Sequence, residues 1–211
     1  MTLQGLQLAC SRGERHLFTD INFEIAAGDA MRIAGLNGSG KTSLLRLLCG
    51  LAYPAAGEIQ WNGNDIRRVR EDYCADLIYM GHANGVKDDL AAWENLFVAS
   101  TLAGRPVSRE AVWDALDALG LDEIGHLPTR SLSQGQRKRV ALARLWLDKQ
   151  PRIWILDEPF TALDRDAVET LCRKMETHLG AGGMLVYTTH QEIELKVGRN
   201  LRLHLGGVQP C

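Results

Sequence analysis

The chain has 211 residues and a mass of 23.3 kDa, enough for one large domain or two small ones and too little for a second full catalytic module. Its 24 Lys plus Arg against 26 Asp plus Glu give a formal net charge of -2, which removes any global electrostatic case for nucleic acid or an anionic membrane. A composition of 45% hydrophobic and 24% charged residues excludes a disordered or fibrous chain, and 21 glycines direct attention to tight loops.

The amino terminus has no basic segment followed by an apolar one, and no charge-free apolar stretch reaches about 18 residues, so neither a secretory signal nor a spanning helix is expected. Up to residue 34, apolar and polar positions alternate (Leu3, Leu6, Leu8; Ile21, Phe23, Ile25; Met31, Ile33), with turn signals at Ser11 to Gly13 and Ala27 to Asp29, which predicts three strands. The run Lys41 to Leu51 has helical periodicity and a capping glycine at Gly50. Asn62-Gly63 reads as a hairpin turn between strands at Glu58 to Trp61 and Asp65 to Val69, and Leu77 to Met80 reads as a further strand.

From 90 to 149 the character changes. Ala and Leu recur at helical spacing over Leu90 to Leu102, Arg109 to Leu119 and Gln134 to Leu147, which predicts an inserted helical subdomain. Arg152 to Leu156 and Met184 to Thr188 are short apolar runs suited to buried parallel strands, separated by a helix over Asp166 to Leu179. The fold class expected is α/β: a parallel-sheet nucleotide-binding core over 1–81 and 150–211, with an antiparallel β part at its amino end and a helical part at 82–149.

Three sites carry chemistry. Gly35-Leu36-Asn37-Gly38-Ser39-Gly40-Lys41-Thr42-Ser43 fits G-x-x-x-x-G-K-[ST] between a predicted strand and a predicted helix. Its glycines let successive N–H groups converge on the β- and γ-phosphates of a nucleotide, and the helix start adds positive potential. Lys41 adds a compact charge, Thr42 suits Mg²⁺, and Ser43 can reach a neighbouring phosphate. Asp157-Glu158 directly follows an apolar strand, where α/β sheets bind ligands. Successive side chains point opposite ways, so Asp157 can face the metal while Glu158 orients the attacking water and takes its proton. Alone, such a pair also reads as a helix amino-terminal cap; the phosphate loop decides between the two. His190 leaves the strand ending at Thr189 on the same edge, placed to donate to the γ-phosphate or to Glu158, or else to serve as a surface cap.

Leu132-Ser133-Gln134-Gly135-Gln136-Arg137 resembles the signature motif of ATP-binding-cassette (ABC) ATPases, and the resemblance spans nearly the whole chain. Asp157-Glu158 is similar to that family's second phosphate-site motif, Thr161-Ala162-Leu163-Asp164 to its dimer loop, and His190 to its switch histidine. The resemblance implies ATP and Mg²⁺ as ligands and a head-to-tail homodimer in which Ser133, Gly135 and Gln136 of one copy close on the ATP held by the loop of another. Three positions depart from the family pattern. Gln134 stands where glycine is usual, Gly81-His82 where a glutamine metal ligand is frequent, and Arg12 where an aromatic stacks on adenine; a planar guanidinium can stack there instead.

The stretches Tyr79 to Leu90, Arg139 to Leu147 and Trp154 to Asp164 resemble a narrower group, the ATP-binding subunits of the bacterial cytochrome c maturation (haem exporter) complex. That resemblance implies peripheral attachment to integral membrane subunits at the cytoplasmic face of the inner membrane, and ATP hydrolysis that powers haem export or release of a haem-loaded chaperone; for a transport-type ATPase, docking of the membrane partners is expected around Asn84 to Trp93. Another ABC exporter or a lipoprotein-release complex is the alternative. Direct haem binding is not expected, since there is no C-x-x-C-H, and Cys211 follows Pro210 in a terminal tail. The five cysteines, Cys10, Cys49, Cys74, Cys172 and Cys211, form no C-x-x-C pair and cannot all pair as disulfides, which fits a reducing compartment. Arg67-Arg68-Val69-Arg70 lacks an aromatic platform and reads as a solvated face rather than a nucleic-acid site.

Overall fold

The computed structural model describes residues 1–147, 151–196 and 198–206; Cys211 lies outside the described residues. The chain forms two compact units, one of residues 1–79, 151–158 and 176–211 and the other of 80–150 and 159–175.

The first unit contains an antiparallel sheet of β1 (Thr2–Arg12), β2 (Arg15–Ala26), β4 (Ala56–Trp61) and β5 (Asn64–Asp65), in the order β2-β1-β4-β5. A second sheet, in the order β6-β7-β8-β3-β9, joins β6 (Leu77–Met80), β7 (Ile153–Leu156), β8 (Met184–Thr188), β3 (Asp29–Ala34) and β9 (Arg199–His204). The pairs β7–β8, β3–β8 and β3–β9 are parallel. Every residue of β7 and of β8 is buried, as a strand covered on both faces requires. Leu44, Leu45, Leu47 and Leu48 of α1 (Lys41–Leu48) lie in one core with Met31, Ile33, Ile153, Ile155, Met184 and Val186. Burial of these aliphatic side chains, each worth roughly 1.5–3 kcal/mol, fixes α1 on one face of the parallel sheet.

The second unit is helical: α3 (Ala92–Leu102), α4 (Arg109–Asp117) and α5 (Gln134–Leu142), the last continuing as a 3₁₀ turn over Ala143–Trp146. Leu96, Val112, Leu116, Leu121, Val140 and Leu145 form its interior. Asn95, also buried, ties the loop before α3 to the helix: its amide nitrogen donates to the Lys87, Leu90 and Ala91 carbonyls, and its oxygen accepts from the Lys87 N–H at 2.7 Å. Helix α6 (Arg165–Gly180) begins in this unit and ends in the first. No described helix is long and apolar enough to cross a membrane.

Three elements differ from their sequence expectation. The strand expected over Asp65 to Val69 stops at Asp65, because the Asp65 carboxylate accepts from the Arg67 backbone N–H at 2.8 Å and pairs with the Arg67 guanidinium, closing a local turn. The chain then enters α2 (Arg70–Ala75), a short helix that buries only Tyr73, whose hydroxyl donates to the Leu48 carbonyl at 2.7 Å. Strand β9 is an additional edge strand.

Candidate nucleotide site

The site is assembled at the carboxyl edge of the parallel sheet, within the first unit. Strand β3 delivers Gly35, and the loop Gly35 to Gly40 turns through positive φ at Gly35, Gly38 and Gly40 before α1 starts. Gly35 is required sterically: a Cβ there would stand 2.6 Å from Ser39 Oγ and 2.9 Å from the Leu205 carbonyl. The Lys41 ammonium donates to the Gly35 and Leu36 carbonyls at 2.9 and 3.2 Å, so it is held across the mouth of the loop. Leu36, Asn37 and Gly38 are exposed, whereas Ser39 is buried with a hydroxyl that has no hydrogen-bond partner. Ser43 lies at the first turn of α1, with its hydroxyl against the Cys10 thiol.

At the end of β7, Asp157 is 3% exposed. Thr42 Oγ1 donates to its Oδ2 at 2.8 Å, and Thr188 Oγ1 donates to its Oδ1 at 2.7 Å. Thr188, fully buried at the end of β8, also accepts from the Glu158 backbone N–H at 2.9 Å. One hydroxyl thus joins both acidic residues to the neighbouring strand. Glu158 adopts φ 49°, a left-handed conformation that a non-glycine residue holds at a cost of about 1–3 kcal/mol and that recurs at functional sites. Its Oε1 lies 3.4 Å from His190 Nε2, with the histidine 61% and the glutamate 16% exposed. Thr42, Asp157, Glu158 and His190 are therefore brought together, and Lys41 shares a cavity wall with His190.

Arg12 sits at the tip of the β1–β2 hairpin, exposed and in register with Arg15. The guanidinium beside the loop belongs to Arg15, 3.8 Å from where a Cβ on Gly38 would stand. Arg15 and Thr188 were the residues without a sequence signal. A charged hairpin residue and a strand threonine are common, and only the register with Arg12 and the pairing with Asp157 give them a place.

The signature segment lies in the second unit, at the start of α5. Ser133 is its amino-terminal cap: its Oγ accepts from the Gln136 N–H at 3.2 Å, and its own N–H donates to Gln136 Oε1 at 2.8 Å, a reciprocal capping box. The Ser133 hydroxyl, accepting at the cap, keeps its proton for an outside acceptor. Gly135 packs beneath Ala162, whose carbonyl would stand 2.8 Å from an added Cβ. Ala162 itself has φ 63°. Arg137 holds the preceding loop, donating to the Leu132 and Arg130 carbonyls and pairing with Asp88 at 3.2 Å. Gln134 is exposed at the first position of the helix, where glycine's extra freedom is not needed, and His82 is exposed in the loop that follows β6.

The residues present fit a magnesium nucleotide. Glycines leave room where a Cβ would fill the cradle, the Ser39 hydroxyl is buried and orphaned at the loop, and a carboxylate stands hydrogen-bonded to a threonine hydroxyl of the α1 start. An ABC transporter family model matches residues 18–161. The cytochrome c biogenesis ATP-binding export protein CcmA of Nitrosospira multiformis is 52% identical over 204 residues, covering 97% of this chain and 98% of that protein. The protein of the same name from Pseudomonas aeruginosa is 48% identical over 201 residues, covering 95% and 98%. Among solved structures, a putative ABC transporter ATP-binding protein from Pyrococcus furiosus superposes with a TM-score of 0.81 at 24% identity, covering 96% of this chain and 98% of that one, and so shares the fold. The chain belongs to the ABC transporter family.

Proposed function

We propose that the chain is the ATP-hydrolysing subunit of a cytochrome c biogenesis export complex, peripheral to integral membrane subunits at the cytoplasmic face of the inner membrane, where its ATP turnover powers haem export or release of a haem-loaded chaperone. The observation that carries the ATPase part is the joining of Asp157 and Glu158 through Thr188 beside the glycine-rich loop. The relatives' names and their near-complete coverage support the cytochrome c part.

In this reading the loop amides of 35–43 and Lys41 bind the β- and γ-phosphates, displacing the Lys41 ammonium from its loop carbonyls. Thr42 and Asp157 hold Mg²⁺, which when bound neutralises charge on the phosphate oxygens. Glu158 accepts a hydrogen bond from the attacking water, orients it and takes its proton onto the carboxylate. His190 Nε2, already 3.4 Å from Glu158 Oε1, donates its N–H either to that carboxylate, holding it in place, or to the γ-phosphate. The Arg12 guanidinium stacks on the base. In this reading two copies pair head to tail. Each copy then presents the Ser133 hydroxyl and the positive start of α5 to the other's nucleotide.

The test is restoration of cytochrome c in a bacterium deleted for its own ATP-binding export protein, with the tagged chain also recovered from detergent-solubilised membranes. The parent chain is expected to restore haem-containing cytochrome c and to bring down haem-handling membrane subunits, while Glu158→Gln binds ATP without restoring it. Recovery of an unrelated permease, with no restoration, overturns the cytochrome c assignment. Unimpaired ATP turnover by Glu158→Gln overturns the assigned base.

A further inference from the structure

The face of the parallel sheet opposite α1 carries a cationic cluster that the nucleotide reading leaves unused. Met31 and Ile33 of β3 point into the core shared with α1, so strand alternation turns Arg32 to the other face. There Arg32 is in parallel register with Arg202 of β9, and His204 is in register with Ala34. Like charges set side by side on adjacent strands repel, and an anion lying over the pair relieves that repulsion. Arg32 Nη2 donates to the Thr189 carbonyl at 3.1 Å, yet its Nε is buried with no hydrogen-bond partner. A buried, unsatisfied N–H on a charged group is costly to leave unmade.

These groups line one open cavity of about 450 Å³ that is continuous with the phosphate loop at Gly35, Leu36 and Lys41 and with His190, and no carboxylate is among its lining residues. Of the acids, Glu194 is exposed and lines an adjoining cavity with Arg32 and Arg202, and Glu158 faces His190. Among the described residues, no carboxylate forms an ion pair with Arg32, Arg202 or His204. The lining is guanidinium, ammonium and imidazole without a carboxylate, a donor set suited to an oxyanion.

We infer that the Arg32, Arg202 and His204 side of this cavity is a second oxyanion site, which takes the inorganic phosphate released by hydrolysis as it leaves the phosphate loop past Lys41 and His190. The inference rests on the ATP-hydrolysis reading and adds a product site to it. Arg202 is the contact to test, since it is exposed and outside the nucleotide machinery.

Binding of inorganic phosphate to the ADP-loaded full chain is followed by calorimetry, and inhibition of steady-state ATP turnover by added phosphate is measured in parallel. Arg202→Gln is expected to raise both the phosphate dissociation constant and its inhibition constant about tenfold, with ATP KM and phosphate-free kcat within about twofold of the parent. Arg202→Lys, which keeps the charge, stays within about threefold. Phosphate affinity in Arg202→Gln equal to the parent's, or no phosphate binding by the parent, overturns the site. If the parent chain binds phosphate in this Arg202-dependent way yet hydrolyses no ATP with its membrane subunits, the functional reading fails and the oxyanion site stands.

Discussion

Replacing Thr188 by valine keeps the shape of the side chain and removes the hydroxyl that joins the two acidic residues. The Asp157 carboxylate then loses a 2.7 Å donor and the Glu158 N–H loses a 2.9 Å acceptor, both at a position with no solvent to replace them. A hydrogen bond to a charged group contributes about 1.5–3 kcal/mol and a neutral one about 1 kcal/mol, so the loss comes to about 3 kcal/mol. At roughly 2–4 °C per kcal/mol for a chain of this size, the melting temperature falls by about 6–12 °C. Because the same hydroxyl anchors the backbone of Glu158 in its left-handed conformation, kcat for ATP falls on the order of 10- to 100-fold through misplacement of the base. Thr188→Ser retains the hydroxyl and loses one methyl group, which costs about 1 kcal/mol and leaves kcat near the parent's. Thermal melts monitored by circular dichroism and phosphate-release assays read both effects. A valine variant that melts within about 2 °C of the parent with unchanged kcat refutes the bridging role.

Two further outcomes are expected. In Gly135→Ala the new Cβ must displace the Ala162 carbonyl 2.8 Å away, which costs about 1–3 kcal/mol of overpacking and moves the signature amide; ATP turnover with membrane subunits is lost while a folded chain is retained, as read by circular dichroism beside the activity assay. In a Cys172→Ser, Cys211→Ser background at pH 8, a chromogenic disulfide reagent modifies exposed Cys74 promptly and Cys10 and Cys49 at least about 100-fold more slowly. Burial pushes both of those thiols up, so the thiolate is scarce at that pH, and burial also bars the reagent. Denaturation brings all three to similar rates.

Strands β6 and β8 were legible to the residue because each is an uninterrupted apolar run with no competing period: Leu77–Met80 and Met184–Thr188. The helices other than α2 were legible in place, though α5 ends at Leu142, where the chain tightens into a 3₁₀ turn that keeps Leu145 buried and so preserves the apolar pattern that suggested a longer helix. Strand β9 was missed although Leu201 and Leu203 alternate with Arg202 and His204, because only two apolar positions carry that period. Helix α2 gave no signal because a single buried residue, Tyr73, makes no period. At the site, the motifs located the loop, the acidic pair, the signature and His190. The Thr188 bridge depends on hydrogen bonds to residues 30 and 31 positions away, and Arg15 on the register of a hairpin. Neither is written in local spacing.

The shared, two-copy site is tested most directly by mixing two inactive chains. Lys41→Ala lacks the phosphate-loop charge and Ser133→Arg blocks the signature, so every site in either homodimer is broken. In a mixed dimer one site combines both defects and the other pairs an intact loop with an intact signature. Equal amounts, exchanged to equilibrium with the membrane subunits present, should recover about a quarter of the parent ATP turnover, since about half the dimers are mixed and each carries one of two sites. A mixture no more active than the sum of its parts, or full activity in either variant alone, contradicts the account.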